Sequence, residues 1–221
     1  MGETIKLQAA DGFTLDAYRA APRGTPRGAV VIAQEIFGVN SHIKAVCDGY
    51  AADGFLAIAP ALYDRVEPGF DVGYAPADIE RGRALRGKLG WPEVMADTAA
   101  AVQAARAAGP VAVIGYCFGG GVAWLAGTRI PGLAATIGYY GGPWTEFKAE
   151  APKCPSLLHF GAKDAMIPVA LADEMRTLHP AIIAHVYEAD HGFNCDQRKS
   201  HDAFAATLAR ARSIGFLTAV M

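Results

Sequence analysis

Hydrophobic residues along the chain group into short runs that alternate with longer segments of helical periodicity. Residues 4–8 and 13–19 alternate in polarity around Asp11-Gly12, a pattern that predicts a β-hairpin. Continuous apolar runs predict buried strands, and these runs cover 28–33, 55–59, 111–115, 133–140, 156–160 and 183–188. Helices are predicted between them, at 41–53, 77–89, 93–108, 119–129, 169–178 and 200–212.

The order of these elements indicates the fold class. Strands that alternate with helices predict an α/β fold, with a mostly parallel central sheet and helices on both faces. No repeat or long polar linker interrupts the pattern, so we expect residues 1–221 to form a single domain. Segments 64–76 and 141–155 contain Gly and Pro without periodicity, and we predict loops there, of the kind that builds a site.

Composition narrows the possible partners and the compartment. Lys and Arg total 20 against 22 for Asp and Glu, so no basic surplus exists to hold nucleic acid. The N-terminus lacks a secretory pattern, and no apolar stretch approaches the ~20 residues of a membrane span. We expect a cytoplasmic monomer that binds neither nucleic acid nor membrane.

The cysteines and the remaining motifs exclude some cofactor chemistry. Cys47, Cys117, Cys154 and Cys195 form no metal-ligand spacing, and four scattered cysteines are typical of cytosolic thiols. No ligand cluster or phosphate-binding loop is visible in the sequence, so we expect no metal and no organic cofactor.

The strongest chemical signal is the segment Gly-Tyr-Cys-Phe-Gly over residues 115–119, which follows an apolar strand. It matches the nucleophile elbow G-x-S-x-G, with Cys117 in the place of serine. Glycine flanks such a turn because bulk does not fit there, and the following helix N-terminus favours a thiolate. The Phe118 amide would point at a developing oxyanion. A buried cysteine in a glycine-rich turn is the alternative.

Two later residues could complete the chemistry of this elbow. In hydrolases with an elbow, an acid and then a histidine follow, each after a later strand. Asp164 comes after the strand 156–160, and His191 comes after the strand 183–188. Asp190 is an alternative acid, but its adjacency to the histidine disfavours an approach to Nδ1. A turn or capping role is the alternative for Asp164.

Two other histidines compete with His191 for the role of base. His159 lies in the middle of an apolar run, so we predict that it belongs to the core. His179 precedes Pro180 at a helix end, and we predict that it is solvated.

With these motifs, the chain resembles the dienelactone hydrolase (carboxymethylenebutenolidase) family, whose members have the α/β-hydrolase fold and a cysteine nucleophile. Besides the elbow, Asp164 and His191, the resemblance rests on Gln-Glu-Ile-Phe-Gly-Val-Asn at 34–40 and Gly-Tyr-Tyr-Gly at 138–141. It implies that Cys117 is the nucleophile, His191 the base and Asp164 the residue that orients the base. The amides of Ile36 and Phe118 would form the oxyanion hole.

Glu35 is implied as a fourth member of the site, close to the thiol. A carboxylate at the end of a buried strand is costly without a partner, and beside Cys117 it would oppose the thiolate. The resting thiol would then be protonated and less easily oxidised. The family mechanism implies that bound substrate displaces Glu35, which takes the thiol proton. From the residues alone, the alternative is a cap for the helix that begins near Ser41.

The substrate end of the site departs from the family pattern. Two arginines and a tyrosine bind the lactone carboxylate in the family, and Arg83 matches the first arginine. Gly87 and Cys195 occupy the positions of the tyrosine and the second arginine; Arg198, three residues after Cys195, is the candidate replacement. A solvated helix face is the alternative for Arg83. Four aromatic residues could line the pocket or pack in the core, and Tyr139 is our candidate among Trp91, Tyr139, Tyr140 and Trp144.

A thiol nucleophile limits the reaction. A thiolate, with a reference pKa of about 8.5, leaves a tetrahedral intermediate far better than an alkoxide does. Activated esters are therefore favoured, and an enolate is a suitable leaving group. We expect hydrolysis of a small anionic enol lactone, dienelactone to maleylacetate, through an acyl-enzyme thioester. The alternatives are another activated ester or a thioester, or an idle α/β-hydrolase fold that only binds.

Overall fold

The computed structural model describes residues 2–221, and these pack into two compact units that divide between Val111 and Ala112. Strands and helices follow one another in the predicted order, so the α/β class is confirmed. Among the described residues, no helix is both long enough and apolar enough to cross a bilayer.

The first unit holds four strands and three α-helices. The strands are β1 (Glu3–Gln8), β2 (Thr14–Ala20), β3 (Ala29–Ala33) and β4 (Leu56–Pro60). They lie in the order β1-β2-β4-β3, with β3 and β4 parallel and the other pairs antiparallel. The helices are α1 (Ser41–Ala52), α2 (Pro76–Arg86) and α3 (Trp91–Ala105), and a 3₁₀ turn follows over Arg106–Ala108.

Turn chemistry and burial explain these elements. Gly12 adopts a φ of +87° between β1 and β2, and the Phe13 amide donates to Asp11 Oδ1, so the predicted hairpin is confirmed. Every residue of β3 and β4 is buried, as expected for a strand that is covered on both faces. Asn40 caps the N-terminus of α1, because its side-chain oxygen accepts a hydrogen bond from the Ile43 amide.

The second unit is wholly parallel. Its strands are β5 (Val111–Tyr116), β6 (Ala135–Tyr139), β7 (Ser156–Gly161) and β8 (Ile183–Tyr187), paired in that order. Its helices are α4 (Phe118–Arg129), α5 (Trp144–Phe147), α6 (Ala170–Leu178) and α7 (Ala203–Val220). The carboxyl ends of parallel strands meet at one edge of a sheet, so this edge collects the loops that follow β5 to β8.

Two helices differ most from the sequence prediction, while α2 and α3 each end three residues before their predicted ends. Residues 141–155, predicted as a loop, contain the short helix α5, whose Trp144 is fully buried and donates its indole N–H to the Gly120 carbonyl. The last helix begins at Ala203 behind the capping Asp202 and continues to Val220, eight residues beyond the predicted end at 212. Its buried face is a narrow stripe of residues four apart, and the mostly small side chains in that stripe differ little in hydrophobicity from the rest of the helix: Ala205, Ala209, Ser213 and Leu217.

Candidate active site

The turn between β5 and α4 has the geometry of a nucleophile elbow. Cys117 adopts a φ of +56°, a conformation that residues other than glycine rarely occupy. A Cβ on Gly115 would overlap the Gly119 carbonyl, and one on Gly120 would lie 2.9 Å from the Tyr139 carbonyl oxygen. Close backbone approach therefore requires glycine at position 115, as the motif predicted, and also at position 120, outside the motif. The strain presents the thiol at the N-terminus of α4.

The second unit brings three of the predicted side chains into one chain of contacts. His191 Nε2 lies 3.1 Å from Cys117 Sγ, and His191 Nδ1 lies 2.8 Å from Asp164 Oδ2. All three residues are buried. The imidazole can therefore exchange a proton with the thiol while the carboxylate holds the opposite ring nitrogen.

Backbone groups fix the orientation of the carboxylate. Asp164 Oδ1 accepts the amides of Met166 and Ile167 at 2.8 and 3.1 Å, which leaves Oδ2 for the imidazole. The alternative acid, Asp190, accepts the backbone N–H of His191 at 2.6 Å. Asp164 therefore makes the loop contacts expected of a turn residue and also contacts His191 Nδ1.

The electrostatics of the histidine favour its charged form. Burial lowers the pKa of His191, but the charge of Cys117 and the hydrogen bond and charge of Asp164 outweigh burial and raise that pKa to about 10. A charged His191 imidazolium in turn favours negative charge on the groups beside it. The N-terminus of α4, where Cys117 and the Phe118 amide lie, favours negative charge in the same direction.

Arg198 lies beside the histidine. A Cβ on Gly192 would overlap Arg198 Nη1 and lie 2.6 Å from its Cζ, so the guanidinium covers the backbone of the residue after His191. Gly192 also has a φ of +81°. The half-buried guanidinium therefore lies against the loop that carries His191.

Tyr139, in contrast, belongs to the core. Its side chain is fully buried, and its hydroxyl lies 2.6 Å from Ser213 Oγ. The structure therefore does not place it on a surface that a substrate could reach. Tyr140, its neighbour, packs its ring 5.1 Å from that of His191, centroid to centroid. From the sequence, Tyr140 is only one of four aromatic residues that could line the pocket.

The other two histidines have different surroundings. His159 is fully buried in β7, so its prediction as a core residue is confirmed. The prediction that His179 is solvated is wrong, because its ring is only partly exposed, packs against Trp124 and contacts the Lys148 carbonyl oxygen through Nε2 at 2.6 Å. Both partners are distant in sequence, so the X-Pro context could not reveal them.

Three predicted site residues lie in the first unit: Glu35, Ile36 and Arg83. Glu35 is buried in the segment after β3, and it does not cap α1, since Asn40 does. A Cβ on Gly82 of α2 would overlap the Ile36 carbonyl oxygen, so this helix approaches the segment at backbone distance. Arg83 is exposed on α2.

Neither unit by itself holds a metal-binding cluster among its described residues. Within residues 2–111, and equally within 112–221, no three His, Cys, Asp or Glu side chains cluster closely enough to hold an ion. No disulfide joins any of the four cysteines in the described part of the chain.

A strand–elbow–helix turn, followed by an acid and then a histidine on loops after later strands, defines the α/β-hydrolase class. The sequence model of the dienelactone hydrolase family matches residues 15–221. The chain belongs to the dienelactone hydrolase family.

Individual relatives agree with this assignment. A carboxymethylenebutenolidase of Pseudomonas putida is 34% identical over 230 residues, covering 97% of this chain and 95% of its own. A Synechocystis protein provisionally named a carboxymethylenebutenolidase is 39% identical over 197 residues, 80% of each chain. A crystal structure from Klebsiella pneumoniae, provisionally named a dienelactone hydrolase, superposes with a TM-score of 0.84 at 29% identity, covering 99% of both chains. The protein is therefore a hydrolytic, ester-cleaving enzyme.

Proposed function

We propose that this protein hydrolyses an enol lactone, dienelactone to maleylacetate, with Cys117, His191 and Asp164 as its catalytic residues. The observation that carries the proposal is the continuous chain from Asp164 through His191 to the thiol, with contacts of 2.8 and 3.1 Å. Family membership supports the lactone as the substrate class.

The proposed reaction has two stages. The Cys117 thiolate attacks the lactone carbonyl carbon and forms a tetrahedral intermediate, whose oxyanion the Phe118 amide would bind. The C–O bond to the enolate then breaks, leaving an acyl-enzyme thioester, and the His191 imidazolium supplies a proton to the leaving group. In the second stage, neutral His191 removes a proton from water, which attacks the thioester carbonyl carbon. The C–S bond then breaks, which releases the acid product and restores the Cys117 thiolate beside the His191 imidazolium.

Glu35, Ile36 and Arg83 enter the proposal through the family motifs that they match. Ile36 would supply a second oxyanion amide, and Arg83 would bind the substrate carboxylate together with Arg198. Glu35 would oppose the thiolate in the resting enzyme and take the thiol proton when substrate binds. The Glu35 charge would disfavour the Cys117 thiolate, whereas the charged His191 beside Asp164 would favour it. The balance of these two interactions would set the protonation of the thiol.

The test is to follow the absorbance loss of dienelactone with purified protein, using Cys117→Ala to measure the background. Turnover that depends on Cys117 would support the lactone assignment. Absence of turnover, together with rapid hydrolysis of aryl esters or thioesters, would replace it by the second candidate, another activated ester. Gly87 and Cys195, which stand at positions of the family's anion clamp, are the observation that favours this candidate.

Replacing Arg198 by Gln is expected to raise the KM for the anionic lactone about 10- to 100-fold, because a charge-assisted hydrogen bond is lost. The kcat should change little. A neutral aryl ester assayed on the same variant should show no change in KM. Arg129→Gln, which breaks an exposed ion pair with Glu150 in the same unit, is the matched control. An equal rise in KM for both esters would contradict a role in binding the carboxylate.

Replacing Glu35 by Gln is expected to lower lactone turnover and to speed oxidation of Cys117 by peroxide, by up to about tenfold. Removing the proposed like charge increases the thiolate fraction of the resting enzyme. The measurement is the rate of thiol loss against peroxide concentration, with the exposed Glu188→Gln as control. Unchanged peroxide sensitivity would count against the repulsion.

A further inference from the structure

Four buried side chains of the second unit form one hydrogen-bonded network centred on Ser213. The Ser213 hydroxyl lies 2.6 Å from the Tyr139 hydroxyl and 3.0 Å from His159 Nε2. His159 Nδ1 in turn lies 2.8 Å from the Tyr187 hydroxyl. Ser213, Tyr139 and His159 are fully buried, and Tyr187 is 5% exposed. One residue from each of β6, β7 and β8 is thereby tied to α7.

The network is linked to the thiol and to the histidine through the main chain. The Tyr139 carbonyl accepts the Cys117 amide at 3.0 Å, so the strand position of Tyr139 sets the elbow itself. The His159 carbonyl accepts the Tyr140 amide at 2.8 Å, and the Tyr140 ring packs on His191. Tyr139 therefore contacts the backbone of Cys117 directly, and His159 contacts His191 through Tyr140.

Tyr187 connects the network to the two loops that carry the acid and the histidine. Its carbonyl oxygen accepts the amides of Ala162 and Ala189, each at 2.7 Å. Ala162 lies two residues before Asp164, and Ala189 lies two residues before His191. A shift of Tyr187 would therefore move both loops together.

The protonation state of His159 matches this arrangement. Burial, with smaller contributions from the charges of His185 and Arg212, holds the pKa of His159 well below its ordinary value of 6.5. A neutral imidazole has one donor and one acceptor nitrogen. It can thus bond Ser213 on one side and Tyr187 on the other without a buried charge. A fully satisfied buried network of this kind rigidifies the groups that it joins.

We infer that Ser213 is a positioning residue for the reaction, which holds the strands carrying Cys117, Asp164 and His191 in catalytic register through Tyr139, His159 and Tyr187. The inference rests on the proposed roles of those three catalytic residues. It assigns a function to α7, a helix that contributes no group to the chemistry. Small displacements of positioned groups are costly in rate, so removing the centre of the network should lower turnover.

The test compares Ser213→Ala with Ser156→Ala. Thr136 and Ser156 form a buried hydroxyl pair, 2.9 Å apart, near the opposite ends of β6 and β7, away from the elbow. Each variant loses one buried hydroxyl, and each should lower Tm by about 2–10 °C. Only Ser213→Ala should lower kcat, about 10- to 100-fold with little change in KM. Its pH profile of Cys117 alkylation by iodoacetamide should move to higher pH.

Tyr187→Phe provides a second variant if Ser213→Ala does not fold, since it removes the hydroxyl that bonds His159 and Arg212 and keeps the Ser213 hydroxyl. It should change kcat and the alkylation profile in the same direction. The inference is overturned if Ser213→Ala, or Tyr187→Phe in its place, keeps the kcat and the alkylation profile of Ser156→Ala. Alkylation does not depend on the identity of the ester, so this result is distinct from a failure of the lactone assignment.

Discussion

Replacing Cys117 by Ser is expected to lower lactone hydrolysis by about 10⁴-fold or more, even though serine is the usual nucleophile of an elbow. The present site is tuned to a thiol: the raised pKa of His191 depends in part on the charge of Cys117. A serine hydroxyl is far less acidic, so it would not form the anion that this pair stabilises. In the second stage, the serine alkoxide would also leave the tetrahedral intermediate less readily than a thiolate, which slows hydrolysis of the acyl-enzyme.

The measurement is kcat/KM on dienelactone for the Ser variant, beside Cys117→Ala for the rate without a nucleophile. Cys154→Ser makes the same atomic change at a partly buried thiol elsewhere in the unit and should retain full activity. A Cys117→Ser enzyme as fast as the parent would contradict the account of both the thiol and Glu35.

Replacing Asp164 by Asn is expected to lower kcat by about 10³- to 10⁴-fold. The side-chain oxygen that contacts His191 Nδ1 would lose its charge, and an amide NH₂ turned toward the ring would stabilise the wrong tautomer. Asp190→Asn is the matched control, because that carboxylate contacts the backbone N–H of His191 rather than the ring. The control should retain most of the activity. Equal losses in the two variants would contradict the role of Asp164.

The same substitution should change the pH dependence of stability. The pKa of His191 is raised from 6.5 to about 10 in the folded protein. Its protonation therefore contributes stability fully below pH 6.5, and this contribution is lost as the pH rises through 10. Asp164→Asn removes two of the interactions that raise this pKa, so the total loss should be smaller and should be complete at a lower pH. Urea unfolding between pH 6 and 10 measures it, and an unchanged pH profile would contradict the assigned cause.

Local patterning was sufficient for most of the fold. Continuous apolar runs identified β3 to β7, because strands covered on both faces require mostly apolar side chains. The run that identified β8 belongs to an edge strand, in which Ile183 and Val186 are exposed. The helix α5 was missed because it is one turn long and its Trp144 bonds Gly120, 24 residues away. The end of α7 was missed because its buried stripe consists of small residues and one leucine, while the larger apolar residues beside the stripe, Ile214 and Phe216, are only half-buried.

Some features of the site could likewise be predicted from local sequence, and others depend on the tertiary structure. The elbow could be recognised from sequence because its glycines and Cys117 are local requirements of one tight turn, and the order of Asp164 and His191 follows from the strands before them. The distances among these side chains, the position of Arg198 over Gly192 and the burial of Tyr139 depend on packing between elements. The Ser213 network joins residues 54 and 74 positions apart, and no periodicity along the chain encodes such contacts. Only the folded sheet and α7 bring these polar groups close enough to satisfy one another.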